Sequence, residues 1–101
     1  MITEQCYILY NPHAGSGEGK ITAEALSLAL GIHSQGLADM TKITNYAAFL
    51  SDKQDCALVV CGGDGTLNRF VNETTHLNLP NEIYFLPIGT GNDFLRDIDA
   101  I

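Results

Sequence analysis

Cys56-Ala-Leu-Val-Val-Cys61, followed by Gly62-Gly-Asp-Gly-Thr66 and then Leu67, Phe70 and Val71, is the stretch that decides the fold. The apolar run over Cys56–Cys61 reads as a central strand covered on both faces. The glycines form a tight loop over 62–66. The spacing of Leu67, Phe70 and Val71 on one face predicts a helix over 66–76. A strand that passes through a short glycine turn into a helix belongs to an α/β domain.

The same alternation continues on both sides. Upstream, Gln5–Tyr10 is a predicted buried strand, Asn11–Gly19 a loop, and Lys20–Leu30 a helix with apolar Ile21, Ala25, Leu28 and Ala29, stopped by Gly31. A short strand is expected over Asp39–Thr44, then one or two helical turns over Asn45–Ser51 with Asn45 as N-cap. Downstream, Glu82–Leu86 is a strand, Pro87–Gly91 a loop, and a helix begins at Asn92 and runs to Asp99. This order predicts a three-layer α/β/α domain with a parallel sheet of about four strands. Right-handed crossovers would then gather every strand-to-helix loop at the carboxyl edge of that sheet.

The length of 101 residues fits one domain. Apolar residues at 46% and charged residues at 17% exclude a disordered chain. Apolar runs such as Ala57–Cys61 and Tyr84–Ile88 are far short of the ~20 residues needed to cross a bilayer. Residues 1–5 carry no positive n-region and no apolar h-region, so the cytoplasm is the expected compartment. Twelve acids against five bases give a net charge of −7. No basic face is available for a duplex or an anionic membrane, so nucleic acid is not an expected partner. Nucleotides remain open, because backbone amides bind phosphate without Lys or Arg. Cys6, Cys56 and Cys61 lie in apolar strand-like runs and read as buried reduced thiols. His13, His33 and His76 have no metal-ligand spacing.

Three loops carry the chemistry: Asn11-Pro-His-Ala-Gly-Ser-Gly-Glu-Gly-Lys20, Gly62-Gly-Asp-Gly-Thr66 and Gly89-Thr-Gly-Asn-Asp93. They hold eight of the ten glycines, and only Gly31 and Gly36 lie elsewhere. Glycine lets a ligand approach the backbone closely, and the helix start that follows supplies free N–H groups. The first is not a P-loop, since Ala14 and Ile21 stand where that motif needs Gly and Ser or Thr. The dinucleotide fingerprint and the protein-kinase glycine loop also fail on spacing.

Asn11-Pro12 with its glycines, Gly62-Gly63-Asp64-Gly65-Thr66-Leu67-Asn68, and Leu86-Pro87-Ile88-Gly89-Thr90-Gly91-Asn92-Asp93-Phe94 together resemble the catalytic domain of the diacylglycerol kinase family. That family is related to the NAD kinases. The likeness covers residues 5–97. It implies an ATP-dependent kinase that phosphorylates a lipid hydroxyl with Mg²⁺. It places ATP between this domain and a second, β-rich domain that the chain does not contain. On this resemblance Asn11, Pro12, His13, Ala14 and Gly15 cradle the triphosphate, with Ser16 and Gly17 nearby. Gly62, Gly63, Asp64, Gly65, Thr66, Leu67 and Asn68 contact phosphate and ribose. Gly89, Thr90, Gly91 and Asn92 line the pocket, and Thr44 is a further contact.

Asp64 has two readings: a catalytic residue that holds Mg²⁺ through water or accepts the hydroxyl proton, or the N-cap of the following helix. Asn68 could point to the site or lie on a polar face. Asp93 could cap the last helix or touch Mg²⁺. Lys20 could reach a phosphate or stay solvated, and Arg96 could meet acidic substrate charge or pair with Asp97 or Asp99. Arg69 stands where the family usually has Glu, and Glu73 where Gly is common. The lipid acceptor would be held by the missing domain, so this half-cleft is expected to bind nucleotide weakly and to be inactive alone. Tyr84–Leu86 is expected as an open sheet edge, which invites self-association. The alternatives are an NAD-kinase-like enzyme and a non-catalytic nucleotide-binding or interaction domain.

Overall fold

The computed structural model describes residues 5–88. The expected loop and helix beyond Ile88, including Gly89, Thr90, Gly91, Asn92, Asp93 and Arg96, lie outside the described residues. Four strands form one parallel sheet: β1 (Cys6–Tyr10), β2 (Ser34–Asp39), β3 (Ala57–Gly62) and β4 (Ile83–Pro87), in the order β2-β1-β3-β4. Every residue of β3 is buried, as its apolar run requires. Register is continuous from Cys6↔Ala57 to Tyr10↔Cys61 and from Leu58↔Ile83 to Gly62↔Pro87.

Helices cover both faces. A single turn, α1 (Ala14–Gly17), leads into α2 (Gly19–Leu30). Ala23 and Leu26 of α2 pack with Cys6, Ile8, Val59 and Cys61. On the other face α3 (Tyr46–Leu50) and α4 (Asp64–Thr74) bring Tyr46, Leu50 and Phe70 onto Leu9, Leu58 and Val60. The rings of Tyr46 and Phe70 meet edge to face at 5.5 Å. Asn45 caps α3, its side chain accepting from the Ala48 N–H at 3.1 Å. The predicted three-layer arrangement is the one observed; Cys6 and Cys61 are buried as expected, whereas Cys56 is only half-buried.

Several local expectations are corrected. The second strand is Ser34–Asp39, not Asp39–Thr44, and Met40–Lys42 is a 3₁₀ turn. Its composition is polar because hydrogen bonding to β1, not apolar burial, defines it. The first loop is not open throughout, since α1 winds inside it. Helix α2 buries Gly19, Thr22, Ala23 and Leu26, while Ile21 and Leu28 are 63% and 85% exposed. Small residues let α2 lie close to the sheet, and the Thr22 hydroxyl satisfies itself on the Glu18 carbonyl at 2.9 Å. On α4 the buried residues are Phe70 and Thr74, while Val71 is exposed. At β4, the last of the described strands in the sheet order, Ile83 is exposed and Tyr84 and Phe85 are half-buried. Leu86, expected at an open edge, is buried.

Candidate functional site

The strand order reverses between β1 and β3. From β1 the chain crosses to β2 on one side, and from β3 to β4 on the other. In open α/β sheets the crevice outside such a switch point is where ligands bind. The segments leaving β1 and β3 flank it, and Asn11 joins them. Its backbone N–H donates to the Cys61 carbonyl at 3.1 Å, and its carbonyl accepts from the Ala14 N–H at 3.1 Å. Its side-chain Oδ1 accepts from the His13 N–H at 2.9 Å, and its Nδ2 donates to Thr66 Oγ1 at 3.0 Å. The end of β4 is tied to the same place by the Ile88 N–H, which donates to the Gly62 carbonyl at 2.9 Å.

Two glycines make this packing feasible. A Cβ on Gly19 would stand 1.8 Å from the Asn11 carbonyl oxygen, and one on Gly62 would stand 2.6 Å from side-chain atoms of Thr66. Gly63 and Gly65 differ, because a Cβ there would meet nothing within 4 Å.

Helix α4 starts earlier than its sequence suggests, so the glycine turn is partly wound into it. Gly63 is its N-cap and provides no side-chain capping bond. This corrects the capping reading of Asp64, which is the first helical residue and is exposed. The N-terminus of α4 thus has no side-chain capping bond to its first N–H groups. A carboxylate in the first turn is favourable with the helix dipole. Asn68, one turn on, is exposed on the same side of α4 as Asp64.

Of the first loop, Pro12, Ala14 and Gly15 are half-buried and His13 and Gly17 are exposed, with Ser16 in the turn of α1. Leu67 is half-buried behind Thr66. Lys20, the second residue of α2, is exposed. Thr44 lies past β2, between the 3₁₀ turn and α3, and is exposed. It lines a wider cleft that adjoins the narrow one lined by Asn11. A narrow cleft of about 30 Å³ is lined by Asn11, Met40, Thr41, Tyr46, Thr66 and Arg69. A wider one of about 590 Å³, between α3 and α4, includes Thr41, Thr44, Asn45, Tyr46, Arg69 and Glu73. Thr41, Tyr46 and Arg69 line both and connect them.

Those three residues were not read as site residues from the sequence. Arg69 had a signal, since it follows Thr66 by three positions on α4 and so shares its face. The Arg69 Nε donates to Glu73 Oε1 at 3.0 Å, which accounts for both unusual residues together as an i,i+4 pair. Glu73 raises the Arg69 pKa. The Tyr46 hydroxyl is pushed up to about 12 by burial, then by the charge of Glu73, with Arg69 opposing. Burial likewise pushes the Cys61 thiol up to about 12.

A parallel α/β sheet with helix-start amides converging at its switch point defines the structural class. The chain belongs to the diacylglycerol kinase catalytic domain family, which it matches over residues 5–100. Its relatives include probable diacylglycerol kinase 3 of Caenorhabditis elegans, 28% identical over 94 residues, and diacylglycerol kinase 4 of Arabidopsis thaliana, 30% identical over 112 residues. Each match covers 88% of this chain but only 12% and 23% of those proteins. No solved structure matches it. Among the described residues no helix is long and apolar enough to cross a membrane.

Proposed function

We propose that this chain is the ATP-binding part of a lipid kinase that transfers the γ-phosphate of ATP to a lipid hydroxyl. The observation that carries the reading is the junction at Asn11, which brings the segments after β1 and β3 together at the switch point in a chain of this family. The triphosphate of ATP fits there. Gly63 and Gly65 present bare backbone, and the first amides of α4, which no side chain caps, would donate to phosphate oxygens. Neutral donors suit this strongly acidic chain, whose net charge is −7.

Mg²⁺ fits as a partner of those phosphates. Among the described residues no group of three or more acidic, histidine or cysteine side chains could hold a metal by itself. Mg²⁺ commonly takes one or two carboxylates and completes its shell with phosphate and water. Asp64 is the carboxylate at the mouth of the crevice and would supply that contact, or accept the proton of the attacking hydroxyl. Bound Mg²⁺ would supply positive charge across the transferring group. The chain's own contribution is placement: Asn11 and Thr66 hold the loops in register, and the amides of α4 orient phosphate oxygens. The lipid pocket and the closing wall belong to a second, β-rich domain beyond these residues.

A titration with millimolar MgATP followed by amide NMR tests the nucleotide reading. The signals of residues 62–66 should move, and unmoved signals would overturn it. In the whole protein, D64N separates the two roles of Asp64. Transfer lost with MgATP affinity intact marks a proton acceptor, whereas loss of Mg²⁺-dependent affinity marks a metal contact.

A further inference from the structure

The side chain of Asn11 makes one hydrogen bond within the protein through each end of its amide. A backbone N–H must meet an oxygen, and the His13 N–H meets the Asn11 side chain at 2.9 Å. That contact fixes which end of the amide is Oδ1 and leaves the NH₂ end against Thr66 Oγ1 at 3.0 Å. Asn11 is thus the donor in that bond and Thr66 the acceptor. A threonine hydroxyl has one proton. With a lone pair taken by Asn11, that proton points away from Asn11. Gly62 packs closely against the Thr66 side chain, at a spacing that leaves no room for a Cβ. Both Asn11 and Thr66 line the narrow cleft beside the switch point.

We infer that Asn11 is a positioning residue: by donating to Thr66 it aims the Thr66 hydroxyl proton at an anionic oxygen in the crevice. The inference rests on the nucleotide reading above and divides the labour within it. Thr66 makes the ligand contact and Asn11 sets its polarity.

N11D tests this by changing donor capacity while keeping shape. An aspartate still accepts from the His13 N–H, but it accepts from Thr66 as well, so the hydroxyl proton turns inward. The unsubstituted chain, N11D, T66V, T66S and N11D/T66V are titrated calorimetrically with MgATP and with inorganic tripolyphosphate. T66V should weaken binding about 10- to 100-fold, as expected for losing a hydrogen bond to a charged group. T66S should stay close to the unsubstituted chain. The deciding quantity is the effect of N11D in the two backgrounds. It should be about tenfold larger with Thr66 present than in the T66V background. Repulsion between the new carboxylate and phosphate is common to both backgrounds and cancels.

Equal effects of N11D in the two backgrounds would overturn the inference while leaving the nucleotide reading intact. If the unsubstituted chain binds neither probe, the nucleotide reading falls and the inference with it.

Discussion

After β1 the backbone turns through Gly15 and Gly17 at φ of 58° and 91°, whereas no glycine of the segment after β3 has a positive φ among the described residues. In the first segment, Gly17 has open space around it and is required by backbone conformation. In the second, Gly62 is required by crowding against Thr66, and Gly63 and Gly65 by neither conformation nor crowding. The two segments thus separate glycine that builds the fold from glycine that the protein alone does not need. Among the described residues, nothing around Gly63 and Gly65 would obstruct an alanine. Bare backbone at the start of α4 is what a closely approaching anion requires.

Substitutions sharpen this contrast, and the largest effect is expected at Gly19. There a Cβ meets the backbone carbonyl of Asn11 at 1.8 Å, which cannot yield without moving the loop. G19A should cost about 3 kcal/mol or more, read by urea denaturation, and near-normal stability would show that the loop has slack. G62A comes next, at about 1–3 kcal/mol. It should also displace Thr66 and release the Asn11 side-chain amide, visible as a shifted NH₂ signal in NMR. G17A should cost about 1–2 kcal/mol through its left-handed backbone alone, with no new contact. G65A is the smallest in stability and the most telling. Alanine in this helical turn should stabilise by about 0.5–1 kcal/mol, while MgATP affinity falls at least about tenfold. A G65A protein that is both more stable and equally able to bind would break the division between the two segments.

Much of this contrast was readable in the sequence. Strand β3 followed from its apolar run, and helix α4 from a spacing of which Phe70 alone is fully buried, in the core with Leu58 and Val60, while Val71 is exposed. The gathering of loops at one edge followed from strand–helix alternation, and the first two do meet. What escaped had weak local signals. Ser34-Gln-Gly-Leu-Ala-Asp39 becomes a strand through its pairing with β1, a long-range cause that local pattern does not carry. Asp64 was a loop residue by composition, but helical propagation from Phe70 draws it into α4. Tyr46 and Arg69 enter the clefts only because α3 and α4 lie side by side on one face. Sequence spacing within each helix says nothing of that neighbour.

The placement of β1 between β2 and β3 has a consequence for how the chain acquires its structure in time. Cys6 is made early, yet it pairs with Ser34 on one side and Ala57 on the other. Sheets assembled from such sequence-distant parallel pairs have high contact order and fold slowly, because loop closure must precede its reward. As the chain emerges from a ribosome, β1 has no inner partner until residues 57–62 are free. The bond between Asn11 and Cys61 forms at that same moment. The pairing of β1 with β3 and the closing of the crevice at Asn11 are therefore expected to come together.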